Sequence, residues 1–171
     1  MLIMKKNNPL DRIAREKIFP HGQALLKKMK EWSSLGEETV FTNGCFDLLH
    51  LGHLSYLKEA ASLGDRLIIG LNADASVRTL KGANRPIWAE RERSLHLACL
   101  TFVDAVVVFE ESTPEQLIEL LLPDILVKGG DYKLEDVVGK DIVESAGGRV
   151  QILSFLEGYS STALIEKIQS L

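Results

Sequence analysis

Apolar residues gather along the chain in five short continuous runs rich in β-branched side chains: Thr39–Phe41, Arg66–Leu71, Ala105–Phe109, Asp124–Val127 and Arg149–Leu153. Segments with helical spacing of apolar positions separate them, at about residues 53–63, 89–100, 114–122 and 135–146. Continuous rather than alternating apolar runs are what strands buried on both faces require. Their alternation with helices predicts a doubly wound, Rossmann-like α/β fold, a parallel five-stranded sheet with helices on both faces. Upstream, Leu25, Leu26, Met29 and Trp32 fall at helical spacing within Gly22–Trp32. Residues 1–36 are therefore expected as an N-terminal arm whose amphipathic helix lies on the domain or on a partner subunit, with 37–171 as the domain itself. Met1 to Asn8 are expected to be disordered. A last helix, from about Thr162 to Ser170, follows Gly158-Tyr159-Ser160-Ser161.

At 171 residues the chain is long enough for one domain with a sizeable core. A net charge of −4 argues against a general nucleic-acid surface and leaves room for a local basic pocket. No apolar run is long enough to span a bilayer, and the start lacks a secretory pattern, so a cytoplasmic protein is expected. Cys45 and Cys99 lack partner spacing and read as reduced thiols.

The chemistry concentrates where the first strand run ends. Thr42-Asn43-Gly44-Cys45-Phe46-Asp47-Leu48-Leu49-His50-Leu51-Gly52-His53 leads from a strand through a glycine-bearing turn into a helix. Unpaired N–H groups at a helix start, aligned with its dipole, favour anions. His50 and His53, three apart, project to one side of the first turn, and Gly52 leaves the backbone open to a ligand. The stretch Asn72–Trp88 reads as a long basic loop carrying Arg78, Lys81 and Arg85 at the carboxyl end of a strand, where a doubly wound sheet places ligand contacts. No GxGxxG follows the first strand, Gly139-Lys140 lacks the rest of a P-loop, and neither HExxH nor GxSxG occurs, so no dedicated metal site is expected.

His50-Leu51-Gly52-His53 resembles the HxGH signature of the nucleotidyltransferase superfamily. With Asn72–Ile87, Phe102-Val103-Asp104, Leu126–Tyr132 and Ser160-Ser161-Thr162 added, the chain from about Lys17 onward resembles the D-glycero-β-D-manno-heptose 1-phosphate adenylyltransferase family, in its stand-alone form. The resemblance implies transfer of AMP from ATP to heptose 1-phosphate, giving ADP-heptose and pyrophosphate for lipopolysaccharide core or related glycan synthesis. It implies catalytic roles for His50, His53 and Lys81. It implies nucleotide contacts from Thr42, Asn43, Gly44, Cys45, Phe46, Gly52, Asn72, Ser160, Ser161 and Thr162. The sugar phosphate is expected to meet Asp47, Arg85, Arg93, Lys128, Gly130 and Asp131. Mg²⁺ is expected to ride chiefly on the ATP phosphates, and a homo-oligomer, with a dimer favoured, without nucleic-acid or membrane partners. Two other readings stay open: a CTP-dependent cytidylyltransferase acting on glycerol 3-phosphate or a similar phospho-alcohol, and an inactive nucleotide-binding regulatory module. On local pattern alone, Ser160 to Thr162 read first as helix caps, and it is the resemblance that gives them to the nucleotide.

Overall fold

A computed structural model describes residues 8–130, 133–156 and 158–171. Its single sheet has six strands, β1 (Ile18–Phe19), β2 (Thr39–Gly44), β3 (Arg66–Asn72), β4 (Ala105–Phe109), β5 (Ile125–Gly129) and β6 (Arg149–Leu153). Their order is β1-β4-β3-β2-β5-β6, and every neighbouring pair is parallel. The helices are α1 (Pro9–Lys17), α2 (Gly22–Ser34), α3 (Leu51–Ala61), α4 (Asp74–Lys81), α5 (Glu90–Ala98), α6 (Glu115–Leu121), α7 (Lys140–Ser145) and α8 (Ser161–Gln169).

Within each apolar run, successive side chains feed opposite faces. Val40, Leu67, Ile69, Val106 and Val127 pack with Leu57 and Ala60 of α3 and Leu97 of α5. Phe41, Ile68, Val107 and Leu126 pack with Leu25 and Trp32 of α2, Ile118 of α6 and Val143 of α7. Each fully buried Leu or Ile stabilises by about 1.5–3 kcal/mol, so the runs need no polar face. Gly70 serves this packing from the middle of β3, since a Cβ there would stand 2.7 Å from the Phe41 ring.

Three expectations change. The sheet has six strands rather than five; the sixth, β1, is two residues long, too short to leave a periodic signature. It pairs Ile18 with Val106 and Phe19 with Val107. The amphipathic helix expected within Gly22–Trp32 is α2, which lies on the domain and buries Leu25, Met29 and Trp32 against it. The expected disorder over Met1 to Asn8 lies outside the described residues except for Asn8, which caps α1 by accepting from the Leu10 amide. The long loop over 72–88 contains α4, and the helix expected over 135–146 is interrupted. A 3₁₀ turn at Leu134–Asp136 stops before Gly139, whose φ of +86° breaks the helix ahead of α7. Among the described residues no helix is long and apolar enough to cross a membrane.

Candidate nucleotide site

The strand order turns back at β2, which has β3 on one side and β5 on the other. Carboxyl ends of strands at such a point open a crevice. A cavity of about 290 Å³ lies there. The end of β2 and the turn after it (Asn43 to Asp47) form one wall, and Lys128 and Gly129 at the end of β5 form another. Lys81 closes it from α4, His53 and Tyr56 from α3, and Ser161 from α8. A larger cavity, about 690 Å³ between α1 and α5, is lined by aliphatic and mixed-charge side chains and holds no histidine.

The turn is shaped by its own residues. Phe46 adopts a left-handed backbone (φ 43°), a conformation costing a non-glycine residue about 1–3 kcal/mol. Its side chain is buried, and its ring meets His53 edge-on with centroids 5.3 Å apart. Gly44 makes room for that ring, because a Cβ on it would lie 3.0 Å from Phe46. His50 occupies the N-cap position of α3 and accepts from the His53 amide through Nδ1 at 3.4 Å. With Nδ1 accepting, the proton of the neutral ring sits on Nε2, where it can be donated to a ligand. The two imidazoles stack with centroids 3.8 Å apart. Gly52 keeps the backbone close beneath them: a Cβ there would lie 3.1 Å from His50 and 3.0 Å from Tyr159.

The start of α8 lies beside that of α3. The Ser161 hydroxyl donates to the Leu48 carbonyl at 3.2 Å, and the ring of Tyr159 lies nearly parallel to that of His50. Ser160 accepts from the Ala163 amide at 3.0 Å, the geometry of a cap, while Thr162 is exposed in the first turn. Two helix N-termini, each carrying the positive end of its dipole, therefore lie on one side of the cavity.

Burial sets the charge states. It pushes the His53 pKa down to about 4, helped by the neighbouring His50 and Lys81, and it lowers that of His50. Burial lowers the pKa of Lys128 as well, and it raises those of the Cys45 thiol and of Tyr56, the latter to about 12. Lys128 donates to the Asn43 side-chain oxygen at 3.3 Å. The cavity thus combines a neutral imidazole with two lysines, Lys81 and Lys128, an arrangement prepared for an incoming polyanion.

Several residues expected to touch ligand are committed elsewhere. Thr42 is fully buried and shares a 2.6 Å hydrogen bond with the Tyr56 hydroxyl, which steers the aromatic ring under the cavity. Asn72 is buried and donates to Ser76, fixing the start of α4. Arg93 is fully buried, and its guanidinium reaches only protein groups, so it cannot neutralise a sugar phosphate. Asp47 is buried and both its oxygens are turned to protein donors: Oδ1 takes the Ile87 and Trp88 amides at 2.6 and 3.2 Å, and Oδ2 takes Arg85 Nε. It acts as an anchor for the segment carrying Arg85. Arg85 Nη2 is buried with no hydrogen-bond partner among the described residues. Gly130 (φ +110°) turns the chain out of β5 and donates to the Leu153 carbonyl, and Asp131 lies outside the described residues. The pattern gave no signal for Phe155, which packs over Gly129 and Gly130, nor for Tyr56, which lies within the helical segment over about 53–63.

Among the described residues no group of three or more His, Cys, Asp or Glu side chains could hold a metal ion. With Asp47 spent on protein donors, these side chains do not fit a protein-held cation.

The profile of the cytidylyltransferase-like family matches residues 41–167. The chain is 56% identical over 147 residues to the bifunctional protein HldE of Geotalea uraniireducens, covering 86% of this chain and 30% of that one. Against the HldE of Koribacter versatilis it is 51% identical over 155 residues, covering 91% and 32%. The chain spans about a third of the length of these curated relatives. The crystal structure of a lipopolysaccharide core biosynthesis protein from Thermoplasma volcanium is similar with a TM-score of 0.60 at 31% identity, over 73% of this chain and all of that one. The pantoate-beta-alanine ligase of Francisella tularensis, at 14% identity and a TM-score of 0.57, shares the fold.

Proposed function

The chain belongs to the cytidylyltransferase-like family, and from that footing we propose that it is an adenylyltransferase joining ATP to D-glycero-β-D-manno-heptose 1-phosphate. The observation that carries the reading is the convergence on one cavity of His53, backed by the stacked ring of His50, with two lysines and two helix N-termini. In the reaction an oxygen of the sugar phosphate attacks the α-phosphorus of ATP in line. The bond from the α-phosphorus to the α,β-bridging oxygen breaks, and pyrophosphate leaves with the electron pair. ADP-heptose carries the new phosphoanhydride.

A phosphate monoester is largely ionised near neutrality, its second pKa being about 6, so no strong general base is needed. The protein's task is to bring two polyanions together and to stabilise charge developing on the α-phosphate and the leaving group. His50 and His53 donate to the triphosphate from the first turn of α3, and Lys81 lies across its phosphates from the end of α4. The amides of α8 at Ser161 and Thr162 face the outer phosphates. Lys128 and Arg85 take the sugar phosphate. Mg²⁺ enters with ATP as part of the substrate, keeping most of its waters.

The test is pyrophosphate release with ATP, CTP, GTP and UTP against a panel of sugar and polyol phosphates. ATP with heptose 1-phosphate is expected to lead. Efficient turnover of glycerol 3-phosphate with CTP would replace the substrates while leaving nucleotidyl transfer in place. Tight ATP binding with no pyrophosphate from any acceptor would make the chain a binding module.

A further inference from the structure

Arg93, on α5, is the largest side chain with no exposed surface among the described residues. Burying a guanidinium is costly, and an apolar residue of similar volume often serves stability as well or better. Its donors diverge toward three separate segments. Nη1 donates to the Cys45 carbonyl in the β2–α3 turn at 2.7 Å. Nη2 donates to Asp74, the first residue of α4, at 2.7 Å. Nε donates to the Trp88 carbonyl in the α4–α5 connection at 3.0 Å. Trp88 is also gripped through its amide by Asp47, which belongs to the same turn as Cys45.

We propose that Arg93 is a positioning residue for nucleotidyl transfer: it fixes α4, and so Lys81, in one relation to the turn that carries His50 and His53. The inference rests on the reading above, in which Lys81 acts on the triphosphate. Arg93 itself touches no substrate. Its leverage comes from geometry. Lys81 is the last residue of α4 and Asp74 the first, so at 1.5 Å rise per residue they lie about 10 Å apart along the axis. A tilt of about 10° at the Asp74 end moves the Lys81 backbone by about 2 Å. Displacements of that order can cost about 10²-fold in rate without any lost contact to substrate. Lysine cannot replace the bracket, because an ammonium is a point donor without the planar fork.

The experiment is a double-mutant cycle read in kcat for pyrophosphate release from ATP and heptose 1-phosphate, with melting temperature recorded for every variant. Arg93→Lys is expected to lower kcat by about 10²-fold in the parent. In a Lys81→Met background the same change is expected to alter kcat by no more than about twofold, because the group it positions is gone. Equal losses in both backgrounds would overturn the inference and leave Arg93 as general scaffolding. Should Arg93→Lys not fold, Asp74→Asn loosens the same bracket from a more exposed position, with the same pattern expected and the same pattern overturning it. Parental kcat for Lys81→Met alone would defeat the reading of that lysine, and this inference with it, and shows in the single variant before the cycle is closed.

Discussion

The two walls of the cavity that carry its cations and imidazoles are built on opposite terms. The β2–α3 turn is packed: Phe46 is buried in a left-handed conformation, Asp47 is fully engaged and the histidines stack on each other. The end of α4 and the residues after it stand in solvent, with Leu80 58% exposed and open space around Gly82. That stretch is fastened at its two ends, by Asp74 to Arg93 and Glu90, and by Arg85, Ile87 and Trp88 to Asp47. The contrast separates two ways of meeting negative charge. Fixed dipoles in a packed turn stabilise charge without reorganising. A lysine on a tethered outer segment can approach after the ligand arrives.

The sharpest way to break the comparison is His53→Ala. Loss of a preorganised donor costs about 10²–10³ in rate, or roughly 2.7–4 kcal/mol, and the variant is expected to show it in kcat while folding normally. Near-parental turnover would remove the turn from the chemistry. Lys81→Met is expected to lose about 10²-fold, the upper weight of one hydrogen bond to a charged group. Hydrogen exchange over residues 79–85 should slow on adding ATP, whereas residues 43–53 should be protected already.

Acid stability probes the packed wall. Burial holds His53 at about 4, below the roughly 6.5 of an unfolded histidine. Between those values the unfolded chain binds the proton more strongly, so stability falls as pH drops from 6.5 toward 4. The loss is complete below 4 and amounts to at most about 3 kcal/mol. His53→Asn should flatten that slope in urea melts, and ATP should make it shallower by favouring the imidazolium. An unchanged slope in the Asn variant would place the titration elsewhere. The smallest effect is at α8: Ser160→Ala with Thr162→Ala is expected to raise KM for ATP at nearly unchanged kcat, with about 1 kcal/mol of lost capping. A larger fall in stability at constant KM would make Ser160 a cap alone.

The sheet was legible because each long strand carries a continuous apolar run, and the site because strand, turn and helix start are contiguous between Val40 and Tyr56. What escaped depends on distance in sequence. Nothing in the local pattern around Asp47 tells that the amides of Ile87 and Trp88 will claim it, and Arg93, expected at the sugar phosphate, shows its commitment to protein groups only once Cys45 and Asp74 are brought to it. Helix α4 hid in a polar stretch because it buries only Ser76 and Val77. Its tertiary anchors, rather than an apolar stripe, hold it.

Short as it is, β1 decides what the sheet shows to other molecules. It lies along the outer edge of β4, covering the backbone beside Val106 and Val107 with Ile18 and Phe19. An open strand of that composition is a template for pairing with another chain. The cover is two residues long, and Pro20, which has no N–H to offer, follows it directly. A protein shortened to begin after β1 would therefore be expected to precipitate or form strand-paired aggregates, though every group around the cavity is retained.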